Sequence, residues 1–299
     1  MRKYYAAIDI GTNAGRMLIG YVVSKDGHEV VKHIQLVRVP LRLGEDVFAN
    51  GIISKGKLKK FIFSLKGFRL LAKAYDIDDI KAYATSAMRE AKNKDYIVLK
   101  IKDKTKLNLE IIDGNREAEL IFSSFNISGL VKERPFLLID VGGGSTELTV
   151  FADGEKKKSK SFKIGTLRLL KNKVNKNIWN EIEEWIEVNI KSCGRMSAIG
   201  TGGNINKISQ LARKRYLEPI LLSEIEATLQ YLKSFSLQER VDKLRLKPDR
   251  ADVIIPASEI YIRIMKISGI NEIFVPKMGL SDGMIIEQYN KDKKSNDNN

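Results

Sequence analysis

A short motif occurs twice, 131 residues apart, and constrains this chain of 299 residues more than any other feature. Ile8-Asp9-Ile10-Gly11-Thr12-Asn13 aligns with Ile139-Asp140-Val141-Gly142-Gly143-Gly144. Each copy ends one apolar run and turns through glycine into a second, the pattern of a β-hairpin. The order of elements after each copy repeats as well. In the first half, runs at 4–10, 17–23 and 30–37 predict three antiparallel strands. Ser54 then stands as an N-cap before Leu58, Phe61, Ile62, Leu65, Phe68, Leu71 and Ala72, an apolar stripe at helical spacing. A strand over 80–84, a helix over 87–100, a strand over 107–112 and a helix over 115–125 complete the half. The second half predicts strands over 136–141, 148–151 and 158–164, a helix over 178–190 and a strand over 196–199. Next come a helix from the glycine loop at 200–204 through 215, further helices within 223–268, a strand over 273–275 and a closing helix over 282–289. Both halves read βββ-α-β-α-β-α, the second with extra helices. A repeated order of this kind implies one architecture used twice: an α/β protein of two lobes, 1–132 and 133–299, each opening with an Asp-x-Gly hairpin and facing one cleft. The polar tail over 291–299 is expected to be disordered.

Composition removes several alternatives. No apolar run approaches the roughly 18 residues of a membrane span, and no signal-peptide segment precedes the first strand. A single cysteine, Cys193, excludes an internal disulfide framework and points to a reducing, cytoplasmic setting. The two histidines, His28 and His33, leave almost no ligands for a zinc site. A metal here would be a hard cation held by carboxylates, water and phosphate. The net charge of +15 is spread over both halves, as in a body that gathers polyanions such as polyphosphate, nucleotides or nucleic acid. Plain solubility explains the same excess. The lysine clusters at 55–60 and 156–163 read as solvated edges.

Four segments carry residues fit for chemistry. In Asp140-Val-Gly-Gly-Gly-Ser-Thr-Glu147, three glycines let backbone amides approach a phosphate, and Ser145 and Thr146 add hydroxyl donors. Asp140 ends a buried strand, a costly place for a carboxylate unless it meets a cation or donors, and Glu147 is placed to share that cation. In the first copy, Asn13 offers a side-chain donor and Arg16 a guanidinium for phosphate. Arg89, in the first turn of a helix, is disfavoured there by the helix dipole unless an anion lies nearby. Glu117 and Glu119 flank the predicted stripe Ala118, Ile121, Phe122 and Phe125 at opposite edges. Either suits general-base work, and position alone does not choose. The loop Ile199-Gly-Thr-Gly-Gly-Asn204 opens a helix whose N-terminus could hold an anion, and helix-start packing accounts for it equally well.

Taken together, Ile-Asp-Ile-Gly-Thr-Asn with Arg16, Ala-Thr-Ser-Ala-Met-Arg89, Asp-Gly-Asn-Arg-Glu117-Ala, Asp140-Val-Gly-Gly-Gly-Ser-Thr-Glu147 and Gly-Thr-Gly-Gly-Asn resemble, in order, the exopolyphosphatase / guanosine pentaphosphate phosphatase family. The resemblance spans about residues 4–287 and implies the actin-like, ribonuclease H-like ATPase fold. It implies that Glu117 is the catalytic glutamate and that Asp140 and Glu147 hold magnesium. Gly143, Gly144 and Ser145 match the phosphate loop, and Asn13, Arg16 and Arg89 match phosphate contacts. Thr12 and Ala14 stand where serines are usual, and Ser281 where many members place a basic residue. Longer members carry further helical domains that help hold extended polyphosphate, so the resemblance does not carry long-chain processivity over to this sequence.

The expected function is magnesium-dependent release of terminal orthophosphate from inorganic polyphosphate or guanosine pentaphosphate, with no membrane or specific nucleic-acid partner and with a homodimer possible. Two rivals come from other classes. An ATP-dependent small-molecule kinase of the same fold would need an acceptor. A polyphosphate or nucleotide sensor would bind without turnover.

Overall fold

The computed structural model describes residues 2–25, 28–124, 134–190 and 193–297. They divide into two compact units, Met1–Asn126 with Met278–Asn299, and Ile127–Lys277.

The first unit opens with β1 (Tyr5–Ile10), β2 (Ala14–Lys25) and β3 (His28–Pro40), followed by α1 (Leu43–Asn50), α2 (Lys55–Lys73), β4 (Ile80–Ala84), α3 (Ser86–Glu90), α4 (Lys94–Thr105), β5 (Leu109–Ile111) and α5 (Gly114–Ser124). Every residue of β1 is buried, as a central strand covered on both faces requires. Ser54 caps α2 by accepting from Lys57 N, and Leu58, Phe61, Leu65, Phe68 and Ala72 form its buried stripe. The expected helix over 87–100 is two helices. Ala91 is extended between α3 and α4, and the Asn93 side chain clasps Ile53, accepting from its N–H and donating to its carbonyl at 3.1 and 2.9 Å. That long-range tie outweighs local helix propensity.

The second unit runs β6 (Phe136–Val141), β7 (Thr146–Ala152), β8 (Glu155–Phe162), α6 (Thr166–Leu170), α7 (Ile178–Ile190), β9 (Ser197–Thr201), α8 (Gly203–Leu211), β10 (Ile220–Leu221), α9 (Leu222–Lys233), α10 (Leu237–Asp242), α11 (Pro248–Ala251), α12 (Ile254–Ser268) and β11 (Glu272–Phe274). Ile178, Ile182, Ile186 and Ile190, spaced by four, bury one face of α7 in the core of this unit. The lysine cluster at 156–163 lies along β8, at the sheet edge, where lysines discourage edge-to-edge pairing.

Among the described residues, the first sheet has the order β3-β2-β1-β4-β5 and the second β10-β11-β9-β6-β7-β8. Read from β8, the second sheet repeats the first and adds β10 at its far edge. Directions repeat too. The first three strands of each unit pair antiparallel, and β4, β5, β9 and β11 join in parallel. The six-residue match thus marks a duplicated topology.

The chain closes with α13 (Leu280–Asp297), and two expectations change here. The tail is helical through Asp297, because Lys3 pairs with Asp292 at 2.6 Å and Tyr5 packs edge-on against Tyr289. The second lobe therefore does not run from 133 to 299: its last helix belongs with the first unit. Arg116 and Tyr83 both bond Glu287, Gln288 donates to Ala6 O at 3.2 Å, and Gly283 lies so close to the Leu120 carbonyl that a Cβ would overlap it. The expected boundary at 132, with Phe125 and residues 298–299, falls outside the described residues. Among those described, no helix is long and apolar enough to cross a membrane.

Candidate active site

In the first unit, β1 and β2 place Asp9 directly opposite Arg16, and Gly11 N closes the turn on Ala14 O at 3.1 Å. Asp9 is buried, with Oδ2 3.5 Å from Arg16 Nη1. Burial pushes its carboxyl above the ordinary value, and the guanidinium pulls part of the way back. Asn13 sits in the turn between them, its carbonyl accepting from Arg42 N at 2.8 Å.

The buried face of α5 gives Glu117 and Glu119 different surroundings. It comprises Ala118 and Ile121 as predicted, with Leu120 and Ser124 in addition, while Phe122 is half-buried; Leu120 meets Gly283 of α13. At about 100° per residue, that face centres near Glu117 and puts Glu119 on the opposite side. Accordingly the Glu117 side chain is 12% exposed and that of Glu119 46%. Arg89, in α3, donates through Nη1 to Glu117 Oε2 at 3.2 Å and to Ile112 O at 2.9 Å. The anion beside Arg89 in this structure is the protein's own glutamate.

In the second unit, the register of β6 and β7 sets Asp140 opposite Glu147, and Gly142 N closes the turn on Ser145 O at 2.9 Å. Paired positions in neighbouring strands share a face of the sheet, so the two carboxylates stand on the same side. The same rung continues to Thr201 in β9 and Ser161 in β8. Glu147 is buried, and its Oε1 accepts from Ser145 Oγ at 2.6 Å and Ser161 Oγ at 2.8 Å. Two hydroxyl donors hold the carboxylate in one orientation. Gly143 and Gly144 occupy the turn between the two acids.

The third glycine loop meets this rung. A Cβ at Gly202, whose φ is +97°, would lie 3.3 Å from Asp140 Oδ1. Asp140 thus lies beside the N-cap of α8, within its own unit. Tyr261 supports the strand ends from the core. Its hydroxyl donates to Thr201 O at 2.8 Å, and burial together with Asp140 keeps it a protonated phenol.

Among the described residues no cluster of three or more His, Cys, Asp or Glu forms a metal site. The donor set at the rung is two carboxylates, with the buried Thr201 Oγ1, which has no hydrogen-bond partner, on the same face. Such a set fits magnesium, which binds through one or two carboxylates and completes its shell with water and substrate phosphate.

The sequence profile of the Ppx/GppA phosphatase family matches residues 21–292. The chain belongs to that family. A bifunctional 3-dehydroquinate synthase/phosphatase of Fusobacterium nucleatum is 31% identical over 94% of the chain, which spans 46% of that longer protein. Exopolyphosphatase 2 of Mycobacterium tuberculosis is 26% identical, over 94% of this chain and 97% of its own. Among solved structures, an exopolyphosphatase from Cytophaga hutchinsonii superposes with a TM-score of 0.81 at 22% identity, covering 97% of this chain and 98% of its own. The Aquifex aeolicus Ppx/GppA family member gives 0.75 at 23% identity, covering 98% and 99%. The chain is a phosphohydrolase of this family, with its two-lobe actin-like fold.

The family-matched residues thus fall in both units: Asn13, Arg16, Arg89 and Glu117 in the first, Asp140, Gly143, Gly144, Ser145 and Glu147 in the second. Sequence reasoning missed Ser161 and Thr201. Ser161 was hidden in a lysine-rich run, and Thr201 in a loop read only for its glycines. Ser281 is buried, and its neighbour Asp282 bonds His33 Nε2 at 2.5 Å, raising the imidazole's pKa.

Proposed function

We propose that this chain is a cytoplasmic, magnesium-dependent exopolyphosphatase. It removes the terminal phosphoryl group of inorganic polyphosphate as orthophosphate and takes guanosine pentaphosphate as a second substrate. The observation that carries this reading is the rung of two carboxylates, Asp140 and Glu147, joined by an amide-rich turn. Relatives named exopolyphosphatases, similar over nearly their whole length, agree with it.

Asp140 and Glu147 would hold the cation, which when bound offsets charge on the phosphoryl oxygens. The amides of Gly143 and Gly144, with Ser145, bind the terminal phosphate, and Asn13, Arg16 and Arg89 contact phosphate oxygens. Glu117, largely buried and bonded to Arg89, orients a water and accepts its proton as the water oxygen bonds to phosphorus. The P–O bond to the bridging oxygen breaks, and that oxygen leaves on the shortened chain. Such transfer depends mainly on positioning and electrostatics. Arg89 serves twice, because its bond to Glu117 fixes the base as well as a positive charge.

A phosphate-release assay over polyphosphates of defined length, guanosine pentaphosphate and ATP without acceptor, with magnesium and with a chelator, tests the reading. Release from polyphosphate that stops with the chelator is expected. Consumption of ATP only when an acceptor is added would replace it with a kinase, and tight polyphosphate binding without release would replace it with a sensor.

A further inference from the structure

The carbonyl oxygens of the second unit's glycine turn all face α6. Thr166 N donates to Gly142 O at 3.0 Å, Leu167 N and Arg168 N to Gly143 O at 2.8 and 3.2 Å, and Arg168 Nε to Gly144 O at 2.7 Å. These peptides are trans, and in a planar trans peptide the N–H points opposite the C=O. The amides of Gly143, Gly144 and Ser145 are therefore turned away from α6, three in succession. Gly165 makes this approach possible. A Cβ there would lie 2.6 Å from the backbone of Gly143 and Gly144, so any larger residue must displace the turn.

The first unit repeats the device with backbone donors. Gly44 N donates to Thr12 O at 3.1 Å and Arg42 N to Asn13 O at 2.8 Å, which turns the amides of Asn13 and Ala14 away from α1. In the second unit the buried Arg168 side chain carries the row of donors one carbonyl further, to Gly144.

We propose that α6 is a brace for the phosphate loop and that Arg168 is its principal positioning residue, presetting the amides of Gly143, Gly144 and Ser145 toward the terminal phosphate. This rests on the function proposed above. Amides already oriented need no reorganisation when an anion arrives. Without the guanidinium, the Gly144–Ser145 peptide can rotate and present a carbonyl to a phosphate, which repels it.

The test uses the full chain and three variants: Arg168→Met, which keeps the stem and removes the donor, Arg168→Lys, which keeps a donor, and Gly165→Ala. Hydrogen exchange across residues 163–171 reads the brace directly, since the amides of Thr166 and Leu167 are protected by the loop carbonyls. Steady-state kinetics on tripolyphosphate with magnesium read its consequence. Arg168→Met should lose protection in that segment and raise KM about tenfold, the loss of one charge-assisted hydrogen bond, with kcat changing less. Arg168→Lys should recover most of both, and Gly165→Ala should move the same two readouts in the same direction. A brace-free role for Arg168 predicts lower melting temperature with unchanged KM and unchanged local exchange, and that result would overturn the proposal. If the wild type releases no phosphate, the proposed function fails, and the exchange measurement still decides the brace.

Discussion

The two hairpins share strand register, a turn closed by the same hydrogen bond and an aspartate ending the first strand, yet they carry opposite charge balance at one rung. Asp9 stands opposite Arg16, and Asp140 stands opposite Glu147. In the first unit the guanidinium answers the carboxylate within the hairpin. In the second, like charges stand side by side on one face, which favours a bridging cation. One duplicated scaffold thus yields a rung with its own cation and a rung suited to an added one. Duplication fixed the geometry, and a single position in each copy, 16 or 147, assigned the role.

On the proposed function, the first unit's chemistry rests on α5 rather than on its rung. Glu117→Gln keeps size and polarity but cannot accept a proton, so turnover should fall about 10²–10⁴-fold with substrate affinity largely kept. Glu119→Gln should be near normal, because that side chain lies on the far side of the helix. Steady-state phosphate release separates them, and a crippled Glu119→Gln with a normal Glu117→Gln would reverse the assignment.

The rungs themselves are compared by Glu147→Gln and Arg16→Gln. If Glu147 holds the cation as proposed, its loss should cost more than the roughly 10–100-fold typical of groups supporting a ligand, and added magnesium should restore part of the loss. On the proposed function, losing Arg16 removes one charged phosphate contact and should raise KM about tenfold, with the magnesium dependence unchanged. Equal magnesium dependence in both variants would break the distinction between the two hairpins.

Which unit owns the last helix is tested by Gly283→Ala. A methyl overlapping the Leu120 carbonyl must push α13 off α5, at a cost of about 1–3 kcal/mol, read as a lower denaturation midpoint. An unchanged midpoint would detach α13 from the first unit.

The smallest effect concerns Asp9. Its folded-state pKa is raised by burial, so the carboxyl lowers stability as pH climbs from the unfolded value through the raised one. Asp9→Asn should therefore melt higher than wild type at pH 8, with the gain vanishing below about pH 4, where both states of the wild type are protonated. A gain that grows on acidification would mean that Arg16 outweighs burial.

Much of this protein was legible in the chain because its signals are local or repeated. Apolar runs around glycine turns, the Ser54 cap with the helical stripe behind it and the twin Asp-x-Gly motifs each act within a few residues or recur as a unit, and they delivered every described strand but β10 and the family-matched acids. What the tertiary structure decided involves partners far apart in sequence. Glu117 and Glu119 come to differ in burial as α5 packs with Leu120 against Gly283, more than 150 residues away. The helix expected over 87–100 broke because Asn93 found Ile53, and the polar tail became helical because Lys3 and Tyr5 gave it a surface to dock on. Arg168 reads as an ordinary basic residue in a row, and its role appears only once the fold brings Gly144 within 2.7 Å of its Nε. Local pattern is set by the chain's own covalent geometry and hydrophobic period; burial and hydrogen-bond partners are set by which distant segments meet.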